Sequence, residues 1–309
     1  MDVKKERALI IGCGNIGALY DFQDTTGKIW THAKALHSSG RFNVDVTDHD
    51  KSKAEIISNN YGFNFVSGKI DLSVYSLVCI ATCTSTHAGY LEESFDALVP
   101  VVICEKPVGD SVTNLNALLL KKGQSSTKVI VNYMRRFQPA YIELKEWLKG
   151  HKDELTGIQI VYCRGFVNNC SHALDLLEFL LDEKTNLHNF EVHSKTYDAF
   201  PDDPTLNGSF QLYEIPVQVM GLADLQYSVF EITIFLKEYR INISNSGDTI
   251  TYYKNENGRL KSQNVVNGVL HHYMVPIVEN ACALLDQKRT DDNFNSAAEL
   301  NIKMLNVIK

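Results

Sequence analysis

Gly12-Cys13-Gly14-Asn15-Ile16-Gly17 places three glycines at GxGxxG spacing near the start of the sequence. Each glycine answers a separate physical need. The first permits a tight turn, the second lets backbone approach a pyrophosphate, and the third lets a helix pack closely on a strand. The motif lies between an apolar strand at 8–11 and a helix beginning at 16–20. There the N–H groups and positive pole of a helix N-terminus would face phosphates. Gly12, Gly14, Asn15, Ile16 and Gly17 are therefore candidate dinucleotide-binding residues. An acid at the end of the second strand should hold the ribose hydroxyls. Asp48 is that candidate, with Asp45 inside the strand in a different environment. Asp48 and Asp50 would repel a 2′-phosphate and no arginine stands beside them, so NAD is expected ahead of NADP. Asp48 lies farther from Gly12 than the usual ~20 positions. An inserted loop at 20–31, containing Asp21, Asp24, Gly27 and Trp30, accounts for the excess. A plain glycine-rich turn and an S-adenosylmethionine-dependent methyltransferase are the rival readings. The absence of an acid just before Gly12 weighs against the methyltransferase.

These residues need a scaffold, and the pattern around them supplies one. Short continuous apolar runs at 77–81, 101–104 and 128–131 read as strands buried on both faces. With the strand at 42–47 and helices at 32–38, 52–61 and 87–98, they alternate as a doubly wound parallel sheet requires. Beyond residue 131 the pattern changes. A helix at 139–149 precedes an alternating strand at 157–164 and a helix at 173–181. Residues 209–253 are mostly strand-like, with period two at 230–237 and a turn at 245–248. The expected fold is thus α/β: a Rossmann domain over 1–131, then an α+β domain over 132–309 with a mostly antiparallel open sheet. Such a sheet leaves one face free for a second copy, so a homodimer or homotetramer through it is expected. Helices at 276–287 and 296–308 have apolar faces that suit either domain.

Composition narrows the class. The 309 residues are 44% hydrophobic and 22% charged, as in ordinary globular proteins, and no apolar run approaches a membrane span. The first seven residues offer no export signal. The net charge of -7 without long blocks argues against a nucleic-acid surface. Seven scattered cysteines show neither a CxxC pair nor zinc-like spacing, which implies a reducing, cytoplasmic setting without disulfide or structural metal.

Cys104-Glu105-Lys106-Pro107 directs the reading further. A Glu-Lys-Pro after a buried strand resembles the Gfo/Idh/MocA family of sugar and inositol dehydrogenases. The stretch from Val78 to Pro107 is similar to the family's layout: an apolar strand, Ala81-Thr82, a helix opened by His87, then the strand before Glu-Lys-Pro. Asn132-Tyr133-Met134-Arg135-Arg136-Phe137 resembles the family's domain-junction segment. Asn168 to Asp175 resembles its H-x-x-D substrate motif. The resemblance implies that Ala81, Thr82, His87, Glu105 and Lys106 contact the cofactor, with Lys106 also reaching the reacting hydroxyl. It implies that His172 is the general base, a role for which imidazole suits neutral pH. A cis Lys106–Pro107 bond is also expected. The implied substrate is a sugar, nucleotide sugar or cyclitol, contacted by Lys106, Asn168, His172 and Arg164. Tyr162 shares a strand face with Arg164 and is a further pocket candidate. Three positions depart from the family pattern. Asn168 stands where many members carry an aspartate, Cys83 where proline is usual, and Cys170 where glycine is common. An amide cannot act as a base, so Asn168 is read as a hydrogen-bonding residue, and a non-catalytic dinucleotide sensor is the alternative reading. Asp175 supports His172 or favours its helix N-terminus, and Arg135 and Arg136 meet an anionic substrate or pair with acids.

Overall fold

The computed structural model describes residues 5–309; the N-terminal reading over residues 1–4 lies outside them. Contacts divide the chain into two units. The first comprises Met1–Met134 with His271–Glu299, and the second Arg135–Leu270 with Leu300–Lys309.

In the first unit six strands, β1 (Glu6–Ile11), β2 (Phe42–Thr47), β3 (Asn64–Phe65), β4 (Leu77–Ile80), β5 (Val101–Cys104) and β6 (Lys128–Val131), are all parallel in the order 3-2-1-4-5-6. Helices α1 (His32–Ser39), α2 (Lys51–Tyr61), α3 (Thr84–Asp96) and α4 (Val112–Lys122) make the crossovers. β4 and β5 are buried at every position, as unbroken apolar runs dictate when helices cover both faces. Their register sets the site. Ile11, Ile80, Cys104 and Val131 lie side by side across β1, β4, β5 and β6. The next residues therefore form a row along the carboxyl edge. Ala81 N–H donates to Ile11 O at 2.8 Å, Glu105 N–H to Ile80 O at 2.9 Å and Asn132 N–H to Cys104 O at 2.8 Å. In open α/β sheets this edge is where ligands bind.

The second unit carries α5 (Pro139–Lys149), β7 (Leu155–Cys163) and α6 (Ser171–Leu181), followed by seven strands. These are β8 (Glu191–Thr196), β9 (Thr205–Leu212), β10 (Ile215–Leu222), β11 (Phe230–Leu236), β12 (Tyr239–Ser244), β13 (Thr249–Glu256) and β14 (Arg259–Asn267). The eight-stranded sheet runs 14-13-12-11-7-10-9-8, with β7 and β10 its parallel pair and the other pairs antiparallel. The expected turn at 245–248 joins β12 to β13.

Two helices close the chain, α7 (Met274–Leu285) and α8 (Phe294–Ile308). Here the expected division at 131/132 differs from the contacts, because residues 271–299 belong to the first unit. The reason is β6, an edge strand whose open backbone groups need partners. Asp292 accepts from Val129 N at 3.0 Å. Asn293 accepts from Val131 N at 2.8 Å and donates to Val131 O at 2.9 Å, imitating a further strand. Among the described residues no helix is long and apolar enough to cross a membrane, and no His/Cys/Asp/Glu group is placed to hold a metal. All seven cysteines are free of disulfides.

Candidate functional site

The glycine turn is specified by what it touches. Gly12 adopts φ +99°, and a Cβ there would stand 2.5 Å from the Ala81 carbonyl oxygen. A Cβ on Gly17 would overlap the Gly12 carbonyl, so both positions demand glycine. A Cβ on Gly14 would meet nothing within 4 Å, which leaves that backbone open to a ligand. The expected helix after the turn is shorter than the pattern suggests. Asn15–Leu19 is one π-type turn, with Leu19 N–H donating to Gly14 O at 3.1 Å and Tyr20 N–H to Asn15 O at 2.9 Å. The chain then enters the inserted loop, tied down by buried Asp21. Its carboxylate accepts from Trp30 N at 2.6 Å, Thr31 N at 3.0 Å and Thr31 Oγ1 at 2.7 Å.

Asp48 follows β2 and reaches back to the turn. It accepts from Cys13 N at 2.6 Å and from Asp50 N at 2.8 Å. The Cys13 thiol is pushed up to about 12 by burial and by the nearby Asp48 charge. Gly12, Gly14, Asn15, Ile16, Asp48, Ala81 and Thr82 all border one cavity of about 850 Å³. A second cavity, of about 980 Å³, shares Ile11, Thr47, Gly68 and Tyr90 with it. Together they offer room for a dinucleotide against the open Gly14 backbone. Asp45 does lie elsewhere: it is buried and holds Arg7 at 2.7 Å, Tyr75 Oη at 2.7 Å and Asn64 at 3.0 Å.

At the end of β5, Glu105 is anchored beneath the surface. One carboxylate oxygen accepts from His32 Nε2 at 2.9 Å and from Asn132 Nδ2 at 2.6 Å. Burial works to raise its pKa. The hydrogen bonds and charge of His32, the Asn132 amide and the Lys106 charge outweigh that and hold it below the ordinary value. Lys106 follows, half-buried, and the Lys106–Pro107 peptide is cis. His87 does not open its helix but lies in the first turn of α3, buried. Its ring nitrogens stand 2.9 Å from Pro107 O and 3.1 Å from Thr82 O. It thus braces the Lys106 segment against the cofactor-side loop.

In the second unit the residues around Asn168 are shaped by Asp203, which sequence reasoning missed. Asp203 accepts from Val167 N and Asn168 N, both at 2.8 Å, at the start of the π-type turn Phe166–Cys170. A Cβ on Gly165, at φ +85°, would collide with that carboxylate. His172 is half-buried, the second residue of α6. Asp175, one turn on, pairs with Arg136 Nε at 3.3 Å. Burial nevertheless pushes its pKa up to about 7, because the Arg136 charge offsets only part of the lost solvation and Glu178 adds repulsion. Arg135 donates to Ser246 O at 2.5 Å and lies over the Phe230 ring. Arg164 adopts φ +63° and donates to Ser228 Oγ at 3.1 Å. Tyr162 is no pocket residue. It is fully buried, with its hydroxyl bonded to both Leu206 backbone groups.

The sequence and the fold have counterparts among known proteins. Residues 7–133 match the family described as "Oxidoreductase family, NAD-binding Rossmann fold", GFO_IDH_MocA. Over residues 7–133, then, the chain is similar to the Gfo/Idh/MocA oxidoreductases. An inositol 2-dehydrogenase of Acidothermus cellulolyticus is 25% identical over 221 residues, covering 64% of this chain and 60% of that protein. The matches to the first curated relatives span 46%, 60% and 53% of those proteins' lengths, about half. Two solved structures share the fold over nearly the whole chain. The 3-ketoreductase KijD10 from Actinomadura kijaniata, in complex with NADP, is 13% identical with TM-score 0.73, covering 99% of this chain and 96% of that one. The transcriptional regulator Gal80p from Kluyveromyces lactis is 13% identical with TM-score 0.74, covering 98% and 88%.

The matched residues form the NAD-binding Rossmann fold that the family description names, with strand order 3-2-1-4-5-6. The cofactor fits what the residues leave open, since Gly14 presents bare backbone to the cavity that Asp48 borders. The Glu105-Lys106-Pro107 segment follows β5, between β4 and the edge strand β6, on the carboxyl edge. Lys106 belongs to the first unit, whereas Asn168, His172 and Arg164 belong to the second. Asp203 left no trace in the sequence pattern, since its partners lie some 35 positions away.

Proposed function

We propose that the chain is an NAD(P)-dependent oxidoreductase acting on a CH–OH or keto carbon of a sugar, nucleotide sugar or cyclitol. The observation that carries this reading is the row Gly12, Ala81, Glu105, Asn132 along one sheet edge, with Lys106 attached to its most firmly held member. When bound, the nicotinamide ring exchanges a hydride with the substrate carbon. The chain's own residues do the rest. Gly12 to Gly17 admit the pyrophosphate, and Asp48 accepts hydrogen bonds from the ribose, which favours NAD over NADP. His87, Ala81 and Thr82 shape the wall beside it. Lys106 steadies negative charge on the substrate oxygen as the alcohol loses its proton. His172 takes that proton on an imidazole nitrogen and returns it in the reverse direction. Asn168 and Arg164 donate hydrogen bonds to substrate oxygens.

We also infer a homodimer or homotetramer through the open face of the second unit's sheet. Val161, Met220, Glu231 and Phe235 share that face by register, and Met220 and Phe235 are over a third exposed. Size by light scattering tests this, and a monomer at all concentrations refutes it. A second reading, a non-catalytic dinucleotide sensor, rests on Asn168 and on the fold shared with a transcriptional regulator. The presence of both Lys106 and His172 weighs against it, because a sensor needs no proton transfer. The deciding experiment titrates NADH, NADPH and S-adenosylmethionine, then follows nicotinamide absorbance with a panel of sugars, nucleotide sugars and cyclitols. Selective NADH binding with turnover is expected. NADH binding without turnover on any substrate favours the sensor, and binding of neither nicotinamide overturns both.

A further inference from the structure

The inserted loop ahead of α1 is a built feature. Asp21 fixes the backbone at Trp30 and Thr31, so the indole is carried on a defined base. The Trp30 ring lies nearly parallel to that of Tyr273, with centroids 6.4 Å apart and planes at 15°. The Lys28 ammonium stands 4.5 Å from the Trp30 ring centroid. Both aromatic residues and Lys28 are half-buried.

Both segments converge on the anchor of Lys106. Two residues after Trp30, His32 donates to Glu105. One residue after Tyr273, Met274 meets the Asn132 amide that also donates to Glu105. Met274 N–H also reaches Ile29 O at 3.4 Å. Two residues of chain span at most ~7 Å, so the rings cannot stray far from that anchor. The charge beside them is uncommitted. Asp24 takes the Lys28 backbone N–H at 2.9 Å and pairs its carboxylate with Lys34, while the Lys28 ammonium has no ion pair among the described residues. His271 and His272, exposed and in ring contact, precede Tyr273 and add further N–H donors.

We propose that Lys28, Trp30 and Tyr273 form the recognition site for an anionic substituent, phosphate or carboxylate, on a polyhydroxylated substrate. The aromatic faces stack against the C–H face of the sugar ring, and the ammonium, held over the indole, meets the anion. This rests on the oxidoreductase reading for its substrate class, but binding can be read without turnover.

The test is calorimetry on the full chain, with and without NADH, using glucose 6-phosphate, glucuronate and UDP-glucose against glucose and myo-inositol. The anionic compounds should bind about tenfold or more tightly than the neutral ones. Lys28→Ala should collapse that ratio to about one and Lys28→Arg should keep it. Trp30→Ala should weaken every ligand in the panel. A stronger glucose 6-phosphate signal identifies phosphate as the group read, and a stronger glucuronate signal identifies carboxylate. Equal binding of glucose and its anionic relatives, a preference that survives Lys28→Ala, or no binding of any compound overturns the proposal. Failure of NADH binding or turnover alone strikes the oxidoreductase reading and leaves the anion preference to be judged on its own ratio.

Discussion

Two buried carboxylates stand beside the two residues proposed to do the chemistry, and they behave in opposite ways. Glu105 precedes Lys106 and is held below its ordinary pKa, whereas Asp175, one helical turn from His172, is pushed up to about 7. Burial acts against the charge in both. The difference is hydrogen bonding. Glu105 receives two short donors, from His32 and Asn132, and feels Lys106. Asp175 has Arg136 at 3.3 Å and a second acid, Glu178, nearby. Donors aimed at a carboxylate oxygen offset its desolvation, while one ion pair at longer range does not. The first unit thus fixes a permanent negative charge beneath its lysine, and the second keeps a titratable acid near its histidine.

The largest effects should come from the reacting groups themselves. Lys106→Ala and His172→Ala are each expected to lower kcat by about 10²–10⁴-fold on a confirmed substrate. NADH affinity, read by fluorescence, should change far less. Near-normal turnover in both variants would break the comparison at its root, since neither carboxylate would then flank a reacting group. The next effect is on Glu105. Glu105→Gln keeps the shape but loses the charge that two donors serve, and should cost about 2 kcal/mol at neutral pH. The folded pKa is depressed, so the stability Glu105 contributes is present above its ordinary value of 4.5 and lost as pH falls below it. Thermal unfolding of the variant should therefore show a flatter acid limb than the parent. An unchanged limb would mean Glu105 is not held charged.

Much of this architecture can be read from residue order, for reasons that differ by region. The glycine turn is legible because backbone sterics leave no choice at Gly12 and Gly17. β4 and β5 are legible because burial on both faces requires unbroken apolar runs. β8 and β14 leave no such mark. They lie at the two edges of the larger sheet, and nearly all their residues are exposed. Asp203 is invisible for another reason, since capping a turn far away in sequence needs only one carboxylate. The helix after the glycine turn ends early because the Asp21 carboxylate accepts from the backbone N–H groups of Trp30 and Thr31 and draws the following loop onto its side chain. Asp48 is legible as an acid at the end of β2, but its bond to Cys13 N–H appears only in three dimensions.

That bond makes Asp48 the next test. Asp48→Ser with His49→Arg should move the preference from NADH toward NADPH by about tenfold, as repulsion of a 2′-phosphate gives way to an arginine. It should also loosen the turn, because a serine cannot serve both the Cys13 and Asp50 amides as the carboxylate does. Competitive titration of the two cofactors reads the ratio. No shift would mean the ribose is held elsewhere.

The smallest expected effect returns to Asp175. Its folded pKa is raised, so between about 4 and about 7 the folded chain keeps a proton that the unfolded chain has released. Stability from this site is therefore fully present at the acid end of that range and declines as pH rises through it. This slope is opposite to that of Glu105. Asp175→Asn should remove the decline and flatten the profile between about pH 4 and 7. Part of the gain is offset because Arg136 loses its carboxylate partner. Chemical denaturation across that range reads the slope directly. If Asp175→Asn instead steepens the decline or destabilises the chain equally at every pH, Asp175 is ionised throughout. The two carboxylates would then be alike, and burial beside His172 would have been overcome by Arg136 alone.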